Sequence, residues 1–272
     1  MRGVGSLPFG SSDTFVESGS ITGVLLDSDV VVVVTGQAAE SSTSDAVNTG
    51  MITSDWNASS DRAVLKRGAS GNAAMVSFAV VEFTGVNWSI HRSTHVYDSA
   101  GVVETESIPP VTSLDHAFLH VQQRTSGTGV DDQGAEVWLS DTSTVSFLIE
   151  PTVTTPGGVT SVAWVVANSG DAPSPLHVRH YSGLRSPGGA EEDVWAEIIS
   201  PVLATDRSSI FGETGRSSGT GAQFPRGAIQ LALTSSDEVT LTQSDSGATQ
   251  AYRFSVAPIF GLEEKELKNE NK

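Results

Sequence analysis

"VWLSDTSTVSFLI" (Val137–Ile149) and "LALTSSDEVTLTQ" (Leu231–Gln243) decide the fold. Each reads as strand, polar turn, strand, and Leu139 through Val145 aligns with Leu233 through Val239 without a gap. Apolar and polar residues alternate after the turn, the period-2 signature of a half-buried hairpin. Immediately upstream stand "RTSGTG" (Arg124–Gly129) and "RSSGTG" (Arg216–Gly221). Further upstream, "SLDHAFLHVQQ" from Ser113 matches "ATDRSSIFGETG" from Ala204, with Asp115 and Asp206 in corresponding places. Earlier still, "VSFAVVEFTGVNWSIHR" (Val76–Arg92) matches "VAWVVANSGDAPSPLHVRHYSG" (Val162–Gly183). Each of these is an apolar strand, a Gly-containing turn, and a second strand carrying His and Arg.

The order of segments is shared, so the chain holds a repeat of roughly 90 residues, the size of one small β domain. One copy runs over 76–158 and the next over 159–260, where "AYRFSVAPIF" (Ala251–Phe260) returns to the opening strand. Phe78, Trp164 and Phe254 are the equivalent aromatics and are expected to point into the core, because a large ring on a period-2 strand usually does. The segment 1–75 reads as an N-terminal β segment, either a docking arm or a degraded repeat. Within it, "VLLDSDVVVVV" (Val24–Val34) is expected to be a buried strand and the closing hairpin of that degraded copy, and "SSTSDAVNTGMITSDWNASSD" a polar surface loop. The charged stretch 261–272 is expected to be a solvated tail or short docking helix. The hexapeptide is expected to be the loop entering each closing hairpin, with its glycines giving backbone freedom and Arg124 or Arg216 anchoring it to a neighbouring strand or carboxylate.

Composition agrees with an all-β chain of tandem sandwich- or barrel-like repeats. Val and Thr favour strands, Gly and Ser supply turns, and Leu/Ala/Glu/Lys stretches of helical type are nearly absent. The 272 residues carry a net charge of -17, which disfavours nucleic-acid binding through a basic face. With no Cys there are no disulfides, thiolate metal ligands or thiol nucleophiles. "MRGVGSLPFGSSDTF" lacks the apolar core of a signal peptide, and the Val24–Val34 run is too short to span a bilayer, so no membrane insertion is expected.

"GRSSG" (Gly215–Gly219) matches the nucleophile-elbow pattern with Ser217 as nucleophile, but that motif needs a strand before it and a helix after it, and the flanks offer no helix. His91/His95 and His116/His120 are spaced i,i+4, and His177/His180 are close. Such spacing converges on a metal only in a helix; on a strand the pair lies about 13 Å apart. "DHAFLHVQQ" is the stretch that reads as a short helix, making His116 and His120 the best pair. Asp27, Asp29, Asp131 and Asp132 are calcium candidates without the EF-hand spacing. Asn57 and Asn87 head glycosylation sequons. Trp56, Trp88, Tyr181 and Trp195 are candidates for a carbohydrate platform, with packing the default. On balance no catalytic, cofactor or metal residue is assigned.

The strand "VSFAVVEF" (Val76–Phe83), then "NWSIHR", then a polar hairpin of the "LTSSDEVTLT" kind, resembles a repeated pattern of virion structural proteins of tailed bacteriophages. The resemblance spans about Arg62 to Phe260, and the second copy departs from it, reading "AWVVANSG" where Glu-Phe stands in the first. It implies a non-enzymatic protein of the virion, a capsid decoration or a tail or fibre component. It would contact other capsid or tail proteins, with a homo-oligomer expected and no catalytic residues or cofactors carried over. Two rival functions stay open at this point: an adhesin module that binds a receptor or a host-surface glycan, and a hydrolase using Ser217.

Overall fold

The computed structural model describes residues 1–39, 51–85, 87–126, 135–149, 156–168, 178–185, 193–198, 208–218, 229–243 and 249–258. Among these residues the chain is built from antiparallel strands, with three short 3-10 turns and no α-helix. The strands fall into three successive sets. The first holds β1 (Gly3–Phe9), β2 (Phe15–Glu17), β3 (Val30–Ala39), β4 (Ile52–Asn57), β5 (Arg62–Arg67) and β6 (Ala74–Glu82). The second holds β7 (Trp88–Val96), β8 (Glu104–Ser107), β9 (Ala117–Thr125), β10 (Ala135–Asp141), β11 (Thr144–Ile149) and β12 (Val159–Asn168). The third holds β13 (Arg179–Arg185), β14 (Asp193–Ile198), β15 (Ser208–Ser218), β16 (Ile229–Ser235), β17 (Glu238–Gln243) and β18 (Thr249–Pro258).

Each set makes two three-stranded sheets. The orders are β1-β6-β3 with β2-β5-β4, then β7-β12-β9 with β10-β11-β8, then β13-β18-β15 with β14-β17-β16. Numbered within its set, every one pairs first-sixth-third and second-fifth-fourth. The two hairpins read from the sequence are present, with Leu139 opposite Val145 and Leu233 opposite Val239. Both carry a register irregularity one step further on, between Leu139 and Asp141 and between Leu233 and Ser235.

Alternation places the cores. In the first set Val30 and Val32 of β3 and Val76, Phe78 and Val80 of β6 face Ile52, Ala63 and Leu65. In the second, Ala163, Val165 and Ala167 of β12 face Val137, Val145 and Phe147, together with Tyr97, whose hydroxyl is 2.8 Å from Ser161 Oγ. In the third, Tyr252, Phe254 and Val256 of β18 face Val239 and Leu241. Buried Arg67 closes one end of the first core, donating to the carbonyls of Asp13, Asn72 and Gly10 and lying over the Phe9 ring.

The hydrogen bonds frame the chain differently from the sequence repeat. The strands that open the sequence copies, at Val76 and Val162, are the sixth and last of their sets. β6 pairs backward with β1 and β3 and not with β7, so "VSFAVVEFTGVNWSIHR" spans two sheets rather than one strand-turn-strand unit. Residues 1–75 supply five strands and most of the buried residues of the first core, so they are a paired, packed part of the fold. The strand expected over Val24–Val34 begins at Val30. A 3-10 turn occupies Asp27–Asp29, and Leu25 and Leu26 are exposed, their amides held by Glu82 Oε1 at 2.7 Å. The expected surface loop contains β4, whose Ile52, Thr53 and Ser54 are buried. Finally, Phe78 and Phe254 do point into cores, but Trp164 is buried on the opposite face of its sheet, with Val31, Phe118, Val162 and Val166.

Candidate functional site

Trp164 marks the most elaborate side-chain cluster among the described residues, the contact between the first and second sets. The outer face of β7-β12-β9 carries Ile90, Val162, Trp164, Val166 and Phe118, and against it lie Val31 and Val33 of β3, Trp56 of β4, and Phe83. Because β12 is covered on both faces, all ten of its residues are buried. Trp56 donates its Nε1–H to Asp27 Oδ1 at 2.7 Å, which fixes the indole while its ring packs. Trp88 packs against Phe83 in a tilted arrangement with ring centroids 4.9 Å apart.

A polar network runs beside the apolar cluster. The N–H and Oγ–H of Ser54 both donate to Gln122 Oε1, at 2.6 and 2.7 Å. That sets the amide orientation, so Gln122 Nε2 is the donor to the Val32 carbonyl and to His120 Nε2, each at 3.0 Å. His120 Nε2 therefore accepts, and the ring is neutral with its proton on Nδ1. Burial pushes the His120 pKa down to about 4. Nearby, Arg124 Nη1 donates to Thr53 Oγ1 at 2.6 Å, and Asp55 receives Arg92 at 3.1 Å and Lys66 at 3.4 Å. Burial lowers the Arg124 pKa, the Arg92 charge lowers it further, and Asp55 opposes both. The Arg92 guanidinium also sits 5.5 Å from the Trp164 ring centroid. At Gly68 the sets touch through backbone: an added Cβ would lie 1.6 Å from the Thr125 carbonyl oxygen.

The second and third sets meet in a related way. β9 and β10 lie against β15 and β18. Arg253 of β18 pairs with Glu136 Oε2 of β10 at 3.3 Å and lies 4.3 Å from the Trp138 ring centroid. The Val178 amide donates to the Asp115 carbonyl at 2.6 Å, and His180 Nε2 donates to the Leu114 carbonyl at 3.1 Å. At both contacts the third–fourth strand side of one set meets the outer face of the next set's first-sixth-third sheet. At both, a carboxylate on the fourth strand holds an Arg on the following sheet.

The residues singled out from sequence disperse over the fold. Ser217 lies inside the eleven-residue strand β15, opposite Gln250, so the backbone there is extended and not the turn of a nucleophile elbow. The stretch around His116 and His120 is not a helix: His116 ends a 3-10 turn and His120 is in β9. His91 and His95 share β7. His95 is clamped, with Nε2 2.7 Å from Glu104 Oε2 and Nδ1 3.0 Å from Glu106 Oε1, and its ring stacks on Phe147 at 4.5 Å. The carboxylates occupy opposite edges of the ring and do not converge on a common point. Desolvation pushes the Glu104 carboxyl up, but the Ser99 and Asp98 amides and His95 outweigh it and hold it below its ordinary range. Among the described residues no group of three His, Asp or Glu is arranged to hold a metal. No described helix is long and apolar enough to cross a membrane. Asp27 accepts from Trp56, and Asp29 Oδ1 from Ser28. Asn57 Oδ1 caps the Ser59 amide and hydroxyl in the β4–β5 turn, and Asn87 immediately precedes β7. Tyr181 stacks on Phe254 at 5.2 Å, which spends its ring on packing. His177, Asp131, Asp132 and Asp206 lie outside the described residues, and Trp195 is described only as part of β14. The repeated hexapeptide does not begin as the expected loop: Arg124 and Thr125 end β9 and Arg216–Ser218 end β15, and Arg124 donates to Thr53 of the neighbouring strand β4 from within its own strand.

Sequence reading missed Asp55, Arg92, Gln122 and Gly68, along with Glu136 and Arg253. Their partners are remote in the chain, and no local motif announces them. Comparisons with protein-family models, curated proteins and solved structures find no match to this chain.

Proposed function

We propose that the chain is a non-enzymatic structural protein of a tailed-phage virion, a capsid decoration or a tail or fibre component, acting by assembly. In this reading the three sets are tandem β-sandwich units, about 3–82, 88–168 and 179–258, joined head to tail. The observation that carries it is the recurrence of one strand order in three sets, with an edge-on-face contact repeated between them. A chain that repeats a scaffold and spends its buried Arg, Asp, Gln and His groups on joining the copies is built for rigid reach. The sequence resemblance supplies the virion. Edge strands and outer faces are the surfaces through which such a unit meets neighbouring proteins.

The test is composition of the particle. Virions from a lysate of the source are banded on a density gradient and analysed by mass spectrometry, then labelled with antibody to the purified chain. Stoichiometric presence and labelling at one position on the particle are expected. Absence of the chain from banded particles overturns the proposal.

A further inference from the structure

We infer that the contact between the first and second sets holds a binding site for a small, doubly charged oxyanion of the phosphate or sulfate class, formed by Arg92, Arg124 and Lys66. Strand register brings these groups together. Thr53 and Asp55 stand two residues apart on β4, so their side chains leave the same face about 7 Å apart. Lys66 of β5 is paired directly with Thr53 and shares that face. From the second set, Arg124 Nη1 donates to Thr53 Oγ1 at 2.6 Å, and Arg92 Nε lies 3.1 Å from Asp55 Oδ1. Lys66 Nζ takes the other carboxylate oxygen, Asp55 Oδ2, at 3.4 Å.

Docking alone does not need this much positive charge. At the contact between the second and third sets, one guanidinium, Arg253, meets one carboxylate, Glu136. Here, among the described residues, three positive charges face one negative, in a chain whose net charge is -17. The surplus works against the contact, because the Arg92 charge bears on an Arg124 guanidinium that burial already disfavours. Donors are also left over. Arg92 meets Asp55 through Nε, which leaves its two terminal nitrogens for a further acceptor, and Arg124 spends Nη1 on a neutral hydroxyl. Paired with Arg92 across β7 and β12, Trp164 is 3% exposed and its buried indole N–H has no hydrogen-bond partner. The patch is open to a small ion: the side chains of Arg92, Asp55 and Lys66 are 26%, 27% and 40% exposed. Two surplus positive charges match a dianion, and guanidinium forks suit the oxygens of phosphate and sulfate. The acidic surroundings repel a polyanion far more than a single small ion. Bound there, the ion bridges β5 of the first set to β7 and β9 of the second, and it stabilises the contact by mass action.

The experiment titrates the full chain with sodium sulfate and with inorganic phosphate by calorimetry and follows the thermal melt, with sodium chloride at matched ionic strength as the reference. Saturable binding of one ion per chain is expected, with a melt that rises above the chloride reference. Arg124→Gln and Lys66→Gln are each expected to weaken binding about tenfold, the loss of one hydrogen bond to a charged group. Arg253→Gln, at the other contact, is expected to leave binding unchanged. The melt of each variant in chloride checks that it is folded. Equal melts in sulfate, phosphate and chloride overturn the inference, as does binding that neither Arg124→Gln nor Lys66→Gln weakens. Dextran sulfate that binds more tightly per sulfate than the free ion overturns the assignment to a small ion.

Discussion

The two internal contacts share a geometry and differ in substance. Between the first and second sets, an apolar cluster around Trp164 is flanked by the Ser54–Gln122–His120 network, two Arg and a backbone approach at Gly68. Between the second and third, Val178 and Ala257 join the same buried apolar cluster, beside Arg253 with Glu136 and Trp138 and two bonds to the 114–115 carbonyls. One docking geometry thus shares an apolar cluster, with a buried polar network added at the first contact and a partly exposed Arg laid on an aromatic ring at the second. In a linear array each contact contributes separately to stability, so cohesion should be concentrated at the first contact and the third set should separate first.

The largest effect is expected from emptying the first contact. Trp164→Ala removes an indole buried between two sets and should cost about 3–5 kcal/mol. Measured by urea unfolding, the midpoint should fall for both sets together. A drop confined to one of them would break the comparison. Gly68→Ala comes next. Its methyl meets the Thr125 backbone, which has no flexible end to swing aside, and the first set must shift away from the second at about 3 kcal/mol, the upper range for overpacking. Limited proteolysis between β6 and β7 should become faster, and an unchanged cleavage rate would count against the contact.

How far these residues were visible in the sequence follows from the same contrast. The hairpins β10–β11 and β16–β17 were legible because two-residue turns and strict alternation are local signals. The corresponding β4–β5 hairpin was not. Its loop is longer, with Asp61 at φ 52, and β4 reads as polar because Thr53, Ser54 and Asp55 serve the contact with the second set. Trp164 aligns with Phe78 yet faces the other way, and the pattern could not reveal it, since a strand covered on both sides has no exposed face to set its phase. Asp55–Arg92 and Glu136–Arg253 are pairings of strands distant in the chain, which only the topology brings together.

Acid should weaken the first contact. The His120 pKa is about 4 in the fold against 6.5 in the unfolded chain. Between those values the unfolded state takes up a proton that the fold refuses. Stability from this group is therefore complete above pH 6.5, declines as pH falls, and levels off below 4. From pH 6.5 to 5 the loss is about 2 kcal/mol. His120→Gln should remove that part of the decline, read as the difference between variant and wild-type unfolding free energies over pH 8 to 5. Two parallel profiles would show that His120 does not carry it.

The smallest effect is expected at the second contact. Arg253 is partly exposed and its pair with Glu136 is open to solvent screening, so the ion pair alone contributes little. The guanidinium over Trp138 adds a contribution that salt weakens less, because part of it is contact with the ring. Arg253→Ala should cost about 1 kcal/mol, and Arg253→Lys nearly as much, since an ammonium cannot both lie flat on the indole and reach Glu136. The decisive readout is which part of the chain responds. Hydrogen exchange should rise in β13, β15 and β18 and stay unchanged in β3, β4 and β9. If protection in β9 also fell, the two contacts would be coupled through that strand, which carries the first contact on its face and lies beside β15, and the array would unfold as one unit rather than from its third set inward.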